Sequence, residues 1–346
     1  MTSFSRRPVL ALSACAAALC LATSAFAQDT YSVGLWGDMP YAKADDAPHI
    51  PALIDDMNAS DIAFSIYDGD IKDGSSECTD AIYTDAMTMF NSLKKPMLYV
   101  PGDNEWTDCH RVNNGGHDTL ERLDHIRKTM FAVPESFGME KLVVEHQAAP
   151  GEKFVENMRY AQGGAMFIGL NVPGSNNNKV NDDEACTKKS ARTLEQCAAG
   201  NAEYAERDKA NIEWMKASFA KAVADGDKGI MIVIQGDPGF DVPETEDDDE
   251  SRLPGKDGYA AFLDALTAEV TAYAGQVVLV HGDTHYFKID KPLPDATHML
   301  ANFTRVQTFG SPNVHWVKVT VDAASPNVFT IQPMIVAANA RKSLTE

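Results

Sequence analysis

Five short apolar runs in this chain end in the same dipeptide, glycine followed by aspartate. The runs are four to six residues long and rich in valine and isoleucine, which is typical of buried β-strands. They are Tyr31–Trp36, Ile62–Tyr67, Met97–Val100, Ile230–Ile234 and Val277–Val280. The aspartates that follow them are Asp38, Asp70, Asp103, Asp237 and Asp283. Ligands of α/β sheets bind beyond the carboxyl ends of the strands, so these aspartates predict one common site if the strands are neighbours in one sheet.

Helical periodicity occupies the segments between these runs. Apolar residues recur at spacings of three and four in five segments. The predicted helices are Ala47–Ala59, Thr79–Leu93, Thr119–Phe131, Ala202–Ala224 and Gly258–Ala274. This strand–helix alternation predicts a layered α/β fold. Two alternating segments near the C-terminus, Trp316–Val321 and Val328–Ile335, are typical of antiparallel strands. We therefore predict a mixed α/β sandwich in a single domain.

The first 27 residues have the organisation of an export signal. Arg6 and Arg7 form its positive part, and an apolar stretch and an Ala-Phe-Ala cleavage site follow. Cleavage after Ala27 leaves a single domain at 28–346. The segment that begins at Ser5 also resembles the twin-arginine export motif, so two export routes stay open. The short alanine-rich signal is typical of bacteria, and we expect a periplasmic or secreted protein.

Four cysteines remain after the predicted cleavage, an even number in an exported chain. They are Cys78, Cys109, Cys186 and Cys197. Two disulfides are expected, and four cysteines allow three pairings. The pairing Cys186–Cys197 is favoured because it closes a short polar segment. A zinc site is the alternative, but no C-x-x-C spacing supports it.

The charge balance excludes some partners. The chain has 30 Lys and Arg against 50 Asp and Glu, a net charge of −20. So acidic a surface disfavours nucleic acid and anionic lipid, although a small anionic substrate stays compatible if a cation occupies the site. No apolar run after residue 30 is long enough for a membrane span, so none is expected.

Polar insertions are predicted near 171–200 and 240–256. The acidic run at 244–250 within the second is read as a solvated loop, with a secondary calcium site as the alternative.

If five carboxylates converge on one site, their mutual repulsion must be compensated. Two carboxylates about 4 Å apart repel by roughly 4 kcal/mol at an effective dielectric constant of about 20. They must therefore be protonated, be splayed apart or bind cations. A cluster of aspartates with one histidine suits Mg²⁺, Mn²⁺ or Ca²⁺ better than zinc. A single Gly-Asp pair is ordinary turn chemistry, so the prediction depends on five equivalent placements.

The order of these motifs resembles that of the calcineurin-like metallophosphoesterases over roughly residues 31–335. Members carry D-x-H, then G-D-x-x-D, G-N-H-[DE], a histidine before proline, and G-H-x-H. The corresponding segments here are Asp38-Met-Pro40, Gly69-Asp-Ile-Lys-Asp73, Gly102-Asp-Asn-Glu105, Gly236-Asp-Pro238 and Gly282-Asp-Thr-His285. The resemblance implies a layered α/β/β/α sandwich of two mixed sheets.

The resemblance also implies a site for two divalent metal ions. One ion would be held by Asp38, Asp70 and His285. The second would share Asp70 and would also bind Asp103, Asp283, and either Asp237 or Gln235. Pro40, Asn104 and Asp283 stand where the family has histidines. Their presence implies either a changed metal preference or a site that binds without catalysing.

An active site of this kind implies hydrolysis of a small phosphate ester. Asn104 stands in place of the family histidine near the leaving group, and His281 is the favoured replacement as proton donor. His110, a metal-bound water and a buried structural role for His281 are the alternatives. Lys72 and Arg111 are candidate phosphate contacts, with surface roles as the alternative.

The same arrangement favours a second disulfide, Cys78–Cys109, between loops that leave adjacent strand ends. A non-enzymatic relative that binds a cation or a phosphorylated ligand is the alternative function, since a fold alone does not confer activity. Oligomeric state, substrate and metal identity are left open by the sequence.

Overall fold

The computed structural model describes residues 1–2, 30–240, 255–293 and 299–340. The predicted cleavage site at Ala27 and the acidic run at 244–250 lie outside the described residues. Two β-sheets carry helices on their outer faces, and both sheets contain parallel and antiparallel strands. The predicted α/β sandwich of two mixed sheets is therefore confirmed.

The first sheet contains the N-terminal strands together with two strands from the C-terminal part. Its strands are β1 (Tyr31–Trp36), β2 (Phe64–Tyr67), β3 (Met97–Tyr99), β11 (Trp316–Val321) and β12 (Phe329–Met334). Their order is β12-β11-β1-β2-β3. The strands β1, β2 and β3 are parallel, whereas β11 and β12 run antiparallel to their neighbours, as the alternating pattern predicts. Three helices accompany this sheet: α1 (Ile50–Ala59), α2 (Asp80–Phe90) and α3 (Thr119–Thr129).

The second sheet has seven strands in the order β4-β5-β6-β7-β8-β10-β9. Their bounds are β4 Glu145–His146, β5 Met158–Gln162, β6 Ala165–Gly169, β7 Gly229–Val233, β8 Gln276–His281, β9 Lys288–Asp290 and β10 Phe303–Gln307. The strands β6, β7, β8 and β10 are parallel. The remaining helices are α4 (Gly174–Asn177), α5 (Asp183–Thr187), α6 (Leu194–Asp225) and α7 (Ala260–Ala272). Single 3₁₀ turns occupy Ala42–Ala44, Ala47–His49, Thr107–His110, Val112–Asn114, Asp257–Tyr259 and Ala337–Asn339.

Three apolar clusters hold these layers together. The cluster between the two sheets includes Val33, Ile66, Met231 and Val280. The outer face of the first sheet packs against α1, α2 and α3, and the outer face of the second sheet packs against α6 and α7. Both faces of the parallel strands are therefore buried, which explains why they read as nearly continuous apolar runs.

The longest helix begins earlier than its periodicity suggests. The predicted start at Ala202 is wrong, since α6 begins at Leu194. A capping box explains the observed start. The Thr193 side chain accepts from the Gln196 amide, and the Gln196 side chain accepts from the Thr193 amide. Apolar periodicity does not register such a polar first turn.

The five Gly-Asp strand ends are divided between the two sheets. The strands β1, β2 and β3 lie in one sheet, and β7 and β8 lie in the other, so the condition that all five be neighbours in one sheet is not met. The carboxyl ends of these strands still reach the same edge of the sandwich. The Asp283 amide, after β8, donates to both carboxylate oxygens of Asp38, after β1, at 3.2 and 3.1 Å. The two facing sheets thus bring together the aspartates that a single sheet was expected to assemble.

Both favoured disulfides are present, Cys78–Cys109 and Cys186–Cys197. The first joins the loops that follow β2 and β3, and the second ties α5 to the first turn of α6. Within the described part of the chain, no helix is both long and apolar enough to span a membrane.

Candidate active site

Left-handed backbone conformations occur at four residues that follow strand ends. The φ angles are 51° at Asp38, 64° at Asp70, 72° at Asp283 and 61° at His285. Residues other than glycine rarely adopt this region, and such strain tends to persist where the surroundings fix a functional geometry. The glycine of the second pair, Gly69, has φ 102°, and a Cβ built there would lie 2.7 Å from the Gly102 Cα. Only glycine permits this close approach of the β2 and β3 loops.

Asp38 and His285 form the first pair of facing groups. The buried Asp38 carboxylate lies 3.4 Å from His285 Nε2. His285 Nδ1 donates to the Ser311 carbonyl oxygen at 2.7 Å, which fixes the ring with Nε2 toward Asp38. Histidines that bind metals are commonly oriented by such a bond from the other ring nitrogen. Burial opposes protonation of His285, but the Asp38 carboxylate overcomes it and raises the pKa to about 9.

Asp70 lies at the centre of a hydrogen-bond network. One carboxylate oxygen accepts from the Asn104 amide N–H at 3.0 Å. The other accepts from Asn104 Nδ2 at 2.6 Å and from the Tyr41 hydroxyl at 2.8 Å. Burial, together with the charges of Asp103, Glu105 and Asp38, raises the pKa of Asp70 well above its usual range.

Asp103 is held by groups from the opposite sheet. Gln235 Nε2 donates to Asp103 Oδ1 at 3.1 Å, and Gln235 Oε1 accepts from the Asp103 and Gly174 amides at 3.2 and 2.6 Å. The Ser175 hydroxyl oxygen lies 2.8 Å from Asp103 Oδ2 and 2.7 Å from Asp108 Oδ1. A hydroxyl carries one hydrogen, so one of these two contacts requires a proton on a carboxyl group. Burial and the charge of Asp103 raise the pKa of Asp108 to about 7, which makes it the candidate to carry that proton.

Asp283 faces Asp103 across a small gap above Gly174. A Cβ built on Gly174 would lie 2.8 Å from Asp103 Oδ2 and 2.8 Å from Asp283 Oδ1. The other oxygen of Asp283 accepts from the Asp237 amide at 3.1 Å. Burial and the charges of Asp103 and Asp38 raise the pKa of Asp283 to about 8. The surrounding protein groups therefore do not stabilise full ionisation of these carboxyl groups.

These groups surround one cavity of about 330 Å³. We call it the acidic cavity, and define it by its lining residues Tyr41, Asp70, Gly74, Asp103, Asn104, Asp108, Arg111, Ser175, Asp283 and His285. The structure thus brings together Asp70, Asp103, Asp283 and His285, with Asn104 and Arg111 beside them. Asp38 lies behind this lining, in contact with Asp283 and His285.

Asp237, Lys72 and His281, which were also singled out from the sequence, lie outside the lining too. The Asp237 carboxylate accepts from the Gly239 amide at 3.0 Å and lies 3.9 Å from Lys256 Nζ. Lys72 is buried and donates to the Asp73 carbonyl oxygen at 2.8 Å. His281 is fully buried, and burial lowers its pKa. These placements do not support substrate contact by Lys72 or proton donation by His281.

Sequence reasoning missed Ser175 and Asp108. Ser175 belongs to α4, where the φ angles of Ser175, Asn176 and Asn177 are 49°, 57° and 55°. The segment is therefore a left-handed turn, and it places the Ser175 hydroxyl over the cavity. The three consecutive asparagines at 176–178 were a usable signal, since asparagine tolerates this backbone region better than most residues.

The donor chemistry of the site fits a divalent cation. Carboxylate oxygens dominate, one imidazole is oriented by a carbonyl group, and Asp103 Oδ2 and Asp283 Oδ1 face the same gap. No group of three or more His, Cys, Asp or Glu side chains in the described ranges is placed to hold a metal ion as it stands. Protein N–H and O–H groups occupy both oxygens of Asp38 and of Asp70, so a cation would replace some of these hydrogen bonds.

Comparison with solved structures settles the fold. PhoD superposes with a TM-score of 0.50 at 10% sequence identity, over 88% of this chain and 68% of that chain. The chain has the calcineurin-like metallophosphoesterase fold. Its sequence has diverged from those of other proteins with this fold, because the sequence identity to such structures is low.

Other structures with the metallophosphoesterase fold give lower scores. Purple acid phosphatase PPD1 from yellow lupin (Lupinus luteus) seeds has a TM-score of 0.47 at 14% identity, over 92% of this chain and 57% of that chain. A 5'-nucleotidase from Candida albicans SC5314 has a TM-score of 0.40 at 11% identity, over 89% and 52%. The chain thus spans little more than half the length of these two enzymes. A scan of protein-family models and a search of curated proteins found no match.

Proposed function

We propose that this protein is an exported, metal-dependent phosphoesterase that hydrolyses small phosphate esters at a carboxylate-rich dinuclear site. The observation that carries the proposal is the grouping of Asp70, Asp103, Asp283 and His285 around one cavity. Full ionisation of these carboxyl groups would leave negative charge that bound cations would neutralise. The fold supports the same reaction class, although a fold alone does not establish activity.

The metal ligands follow the order of the motifs. Asp38, Asp70 and His285 would hold one ion, and Asp70 would be shared with the second. The further ligands of the second ion would be Asp103, Asp283, and Asp237 or Gln235. Contact distances favour Gln235 over Asp237, since only Gln235 touches Asp103. Oxygen-rich ligands favour Mn²⁺, Mg²⁺ or Ca²⁺ over Zn²⁺.

Bound divalent cations would supply Lewis-acid stabilisation of the phosphoryl charge and lower the pKa of an attacking water. The chain's own residues would position the ester. Arg111 lines the acidic cavity and offers a guanidinium group for phosphoryl oxygens, while its partner Asp108 lies 2.6 Å away. Asn104 and Tyr41 hold the Asp70 carboxylate in place. The volume of the cavity suits a small ester.

Export is supported by the signal-like N-terminus and by the cysteines. All four cysteines that remain after the predicted cleavage are paired as disulfides. Disulfides persist mainly in oxidising compartments, which favours a periplasmic or secreted location.

A second function is favoured by one observation at Asp70. Both of its oxygens accept protein hydrogen bonds, from Asn104 and Tyr41, and Asn104 stands where the family has a histidine. A protein of this fold that binds a cation or a phosphorylated ligand without turnover would tolerate such a network.

Phosphatase assays of the mature chain 28–346 separate these functions. The substrates are 4-nitrophenyl phosphate and a panel of small esters, each with Mn²⁺, Mg²⁺, Ca²⁺ or Zn²⁺. Turnover that falls at least about 100-fold in Asp70→Asn supports the enzyme, because a group acting on transition-state charge has an effect of that order. The control is Asp264→Asn on the exposed face of α7, which should behave as wild type. Cation binding without turnover on any ester supports the second function instead.

A further inference from the structure

A second cavity, of about 280 Å³, adjoins the acidic cavity. The two cavities share Asp108, Arg111 and Ser175 as a common wall. We call the second one the basic cavity, since its remaining charged lining residues are Lys179, Lys188 and Arg192. Such a grouping stands out in a chain whose net charge is −20.

Neighbouring carboxylates cancel the charge of the basic cavity only in part. Asp108 is the one acidic residue among the described lining residues, and it already pairs with Arg111 at 2.6 Å. Arg192 contacts only the Ser190 hydroxyl and the Ala185 carbonyl oxygen, at 3.3 and 3.4 Å, and has no carboxylate partner in the described part of the chain. Lys188 lies 3.7 Å from the exposed Glu184, a weak contact in water. Lys179 pairs with Asp257 at 2.6 Å.

The half-buried His110 lies in the same positive environment. Burial, followed by the charges of Arg192 and Arg111, lowers the pKa of His110 to about 3. The imidazole is therefore neutral in this wall at physiological pH.

The basic cavity is fixed by covalent and main-chain contacts. Two of its walls are the turn at 107–112 and the segment 185–192, and the third is the segment 175–180. The Val112 amide donates to the Lys189 carbonyl oxygen at 3.1 Å, and the Ala191 amide donates to the His110 carbonyl oxygen at 2.9 Å. One disulfide includes Cys109 in the first wall, and the other includes Cys186 in the second. The backbone that carries Arg111, Lys188 and Arg192 is thus held in place before a ligand arrives, which lowers the entropic cost of binding.

We infer that the basic cavity is an anion subsite for the same substrate. The ester would place its scissile phosphate in the acidic cavity and a second anionic group, a carboxylate or a phosphate, against Arg192 and Arg111. The substrate class is then a small phosphate ester with a second negative group, rather than a singly phosphorylated neutral alcohol. The position of the scissile phosphate rests on the proposed function, whereas anion binding at Arg192 does not require turnover.

Matched ester pairs test this subsite. One pair is 3-phosphoglycerate and glycerol 3-phosphate, which differ by a carboxylate. The other is fructose 1,6-bisphosphate and fructose 6-phosphate, which differ by a phosphate. The measurements are kcat/KM and, by calorimetry on the Mn²⁺-supplemented protein, Kd. The wild type should favour the doubly anionic member by about tenfold or more, as expected for a charge-assisted contact.

The variant Arg192→Gln should abolish most of this preference, lowering kcat/KM for the doubly anionic ester far more than for the singly anionic one. Lys188→Gln should reduce the preference in the same direction, which guards against a folding defect at position 192. Lys216→Gln, an equal change of charge on the exposed face of α6, is the control. The pair that responds more strongly identifies the second group as carboxylate or phosphate.

The outcomes distinguish failure of the subsite proposal from failure of the proposed enzymatic function. Binding preference without hydrolysis of any ester supports the subsite and contradicts the proposed function. Hydrolysis without preference, or a preference unchanged in Arg192→Gln, overturns the subsite and leaves the function standing. Failure of the supplemented protein to bind any of the four esters also overturns it.

Discussion

The carboxylates at the strand ends destabilise the metal-free fold. Burial, together with the charges of Asp103 and Asp38, raises the pKa of Asp283 to about 8. A raised carboxyl pKa means that the folded state disfavours the ionised form. The residues that would bind cations are therefore the residues that the fold supports least well in their charged state.

Replacing Asp283 by asparagine should stabilise the metal-free protein. Asparagine tolerates the φ of 72° at this position, can accept from the Asp237 amide, and offers Nδ2 to Asp103 Oδ2 across the gap. The loss of a repelling charge should raise the free energy of unfolding by about 1–2 kcal/mol at pH 8, a typical gain for a stabilising substitution. Urea unfolding in the presence of EDTA measures this change.

The control for this prediction is Asp264→Asn, which removes a charge from an exposed position. It should change stability by less than about 0.5 kcal/mol. An Asp283→Asn protein that is less stable than wild type without metal would contradict the electrostatic account.

The residues of the site were only partly predictable from sequence. Asp70, Asp103 and Asp283 were found because a repeated dipeptide marks the ends of buried strands. Ser175 and Asp108 were missed because no repeated pattern surrounds them. Their placement depends on the left-handed turn of α4 and on a 3₁₀ turn, both of which are local backbone events.

At the scale of elements, the strands that precede a Gly-Asp pair were predicted to within two residues at each end. Strands β4, β5, β6, β9 and β10 were missed, since none of them ends in that dipeptide. The division of the marked strands between two sheets was also not foreseen. A Gly-Asp turn has the same local form in either sheet, so only long-range pairing decides which strands are neighbours.

The left-handed turn of α4 leads to a prediction about its glycine. Gly174→Ala would place a Cβ 2.8 Å from oxygens of Asp103 and Asp283, in the gap proposed for a cation. We expect cation affinity to fall at least about tenfold, a typical loss when the supports of a metal site are disturbed. Isothermal titration calorimetry with Mn²⁺ measures this affinity.

Gly200→Ala is the matched control for Gly174→Ala. Gly200 lies inside α6, and the nearest atom to a Cβ built there is Asn178 Nδ2 at 3.8 Å. This substitution should raise stability by about 0.5–1 kcal/mol, as for glycine to alanine in a helix, and leave cation affinity unchanged. Equal cation affinities of the two variants would show that the gap above Gly174 does not take a cation.

At the scale of the whole molecule, the stability of the metal-free protein should fall as pH rises above about 6.5. The pKa values of Asp283 and Asp108 are about 8 and about 7 in the folded protein, against roughly 4 in an unfolded chain. Between these values the unfolded chain has lost protons that the folded protein keeps, so raising the pH favours unfolding. The pKa of His285, about 9, acts in the same direction above roughly pH 6.5, because its pairing with Asp38 is lost as the ring deprotonates.

Thermal unfolding in EDTA between pH 6.5 and pH 9 measures this dependence. The midpoint should decline over that range, and added Mn²⁺ should restore more stability at pH 8 than at pH 6.5, since metal ligands must be deprotonated. Equal midpoints at pH 6.5 and pH 9 without metal would mean that the carboxylates are not coupled as described.

The central claim is that the acidic cavity binds divalent cations. Elemental analysis of the mature protein, after incubation with Mn²⁺, Mg²⁺, Ca²⁺ or Zn²⁺ and removal of free metal, tests it most directly. Asp70→Asn and the exposed-site control Asp264→Asn accompany the wild type. We predict two divalent ions per chain in the wild type and the control, and their loss in Asp70→Asn. A wild-type protein that retains no ion under any of these conditions would contradict the claim and leave the strand-end aspartates as turn residues.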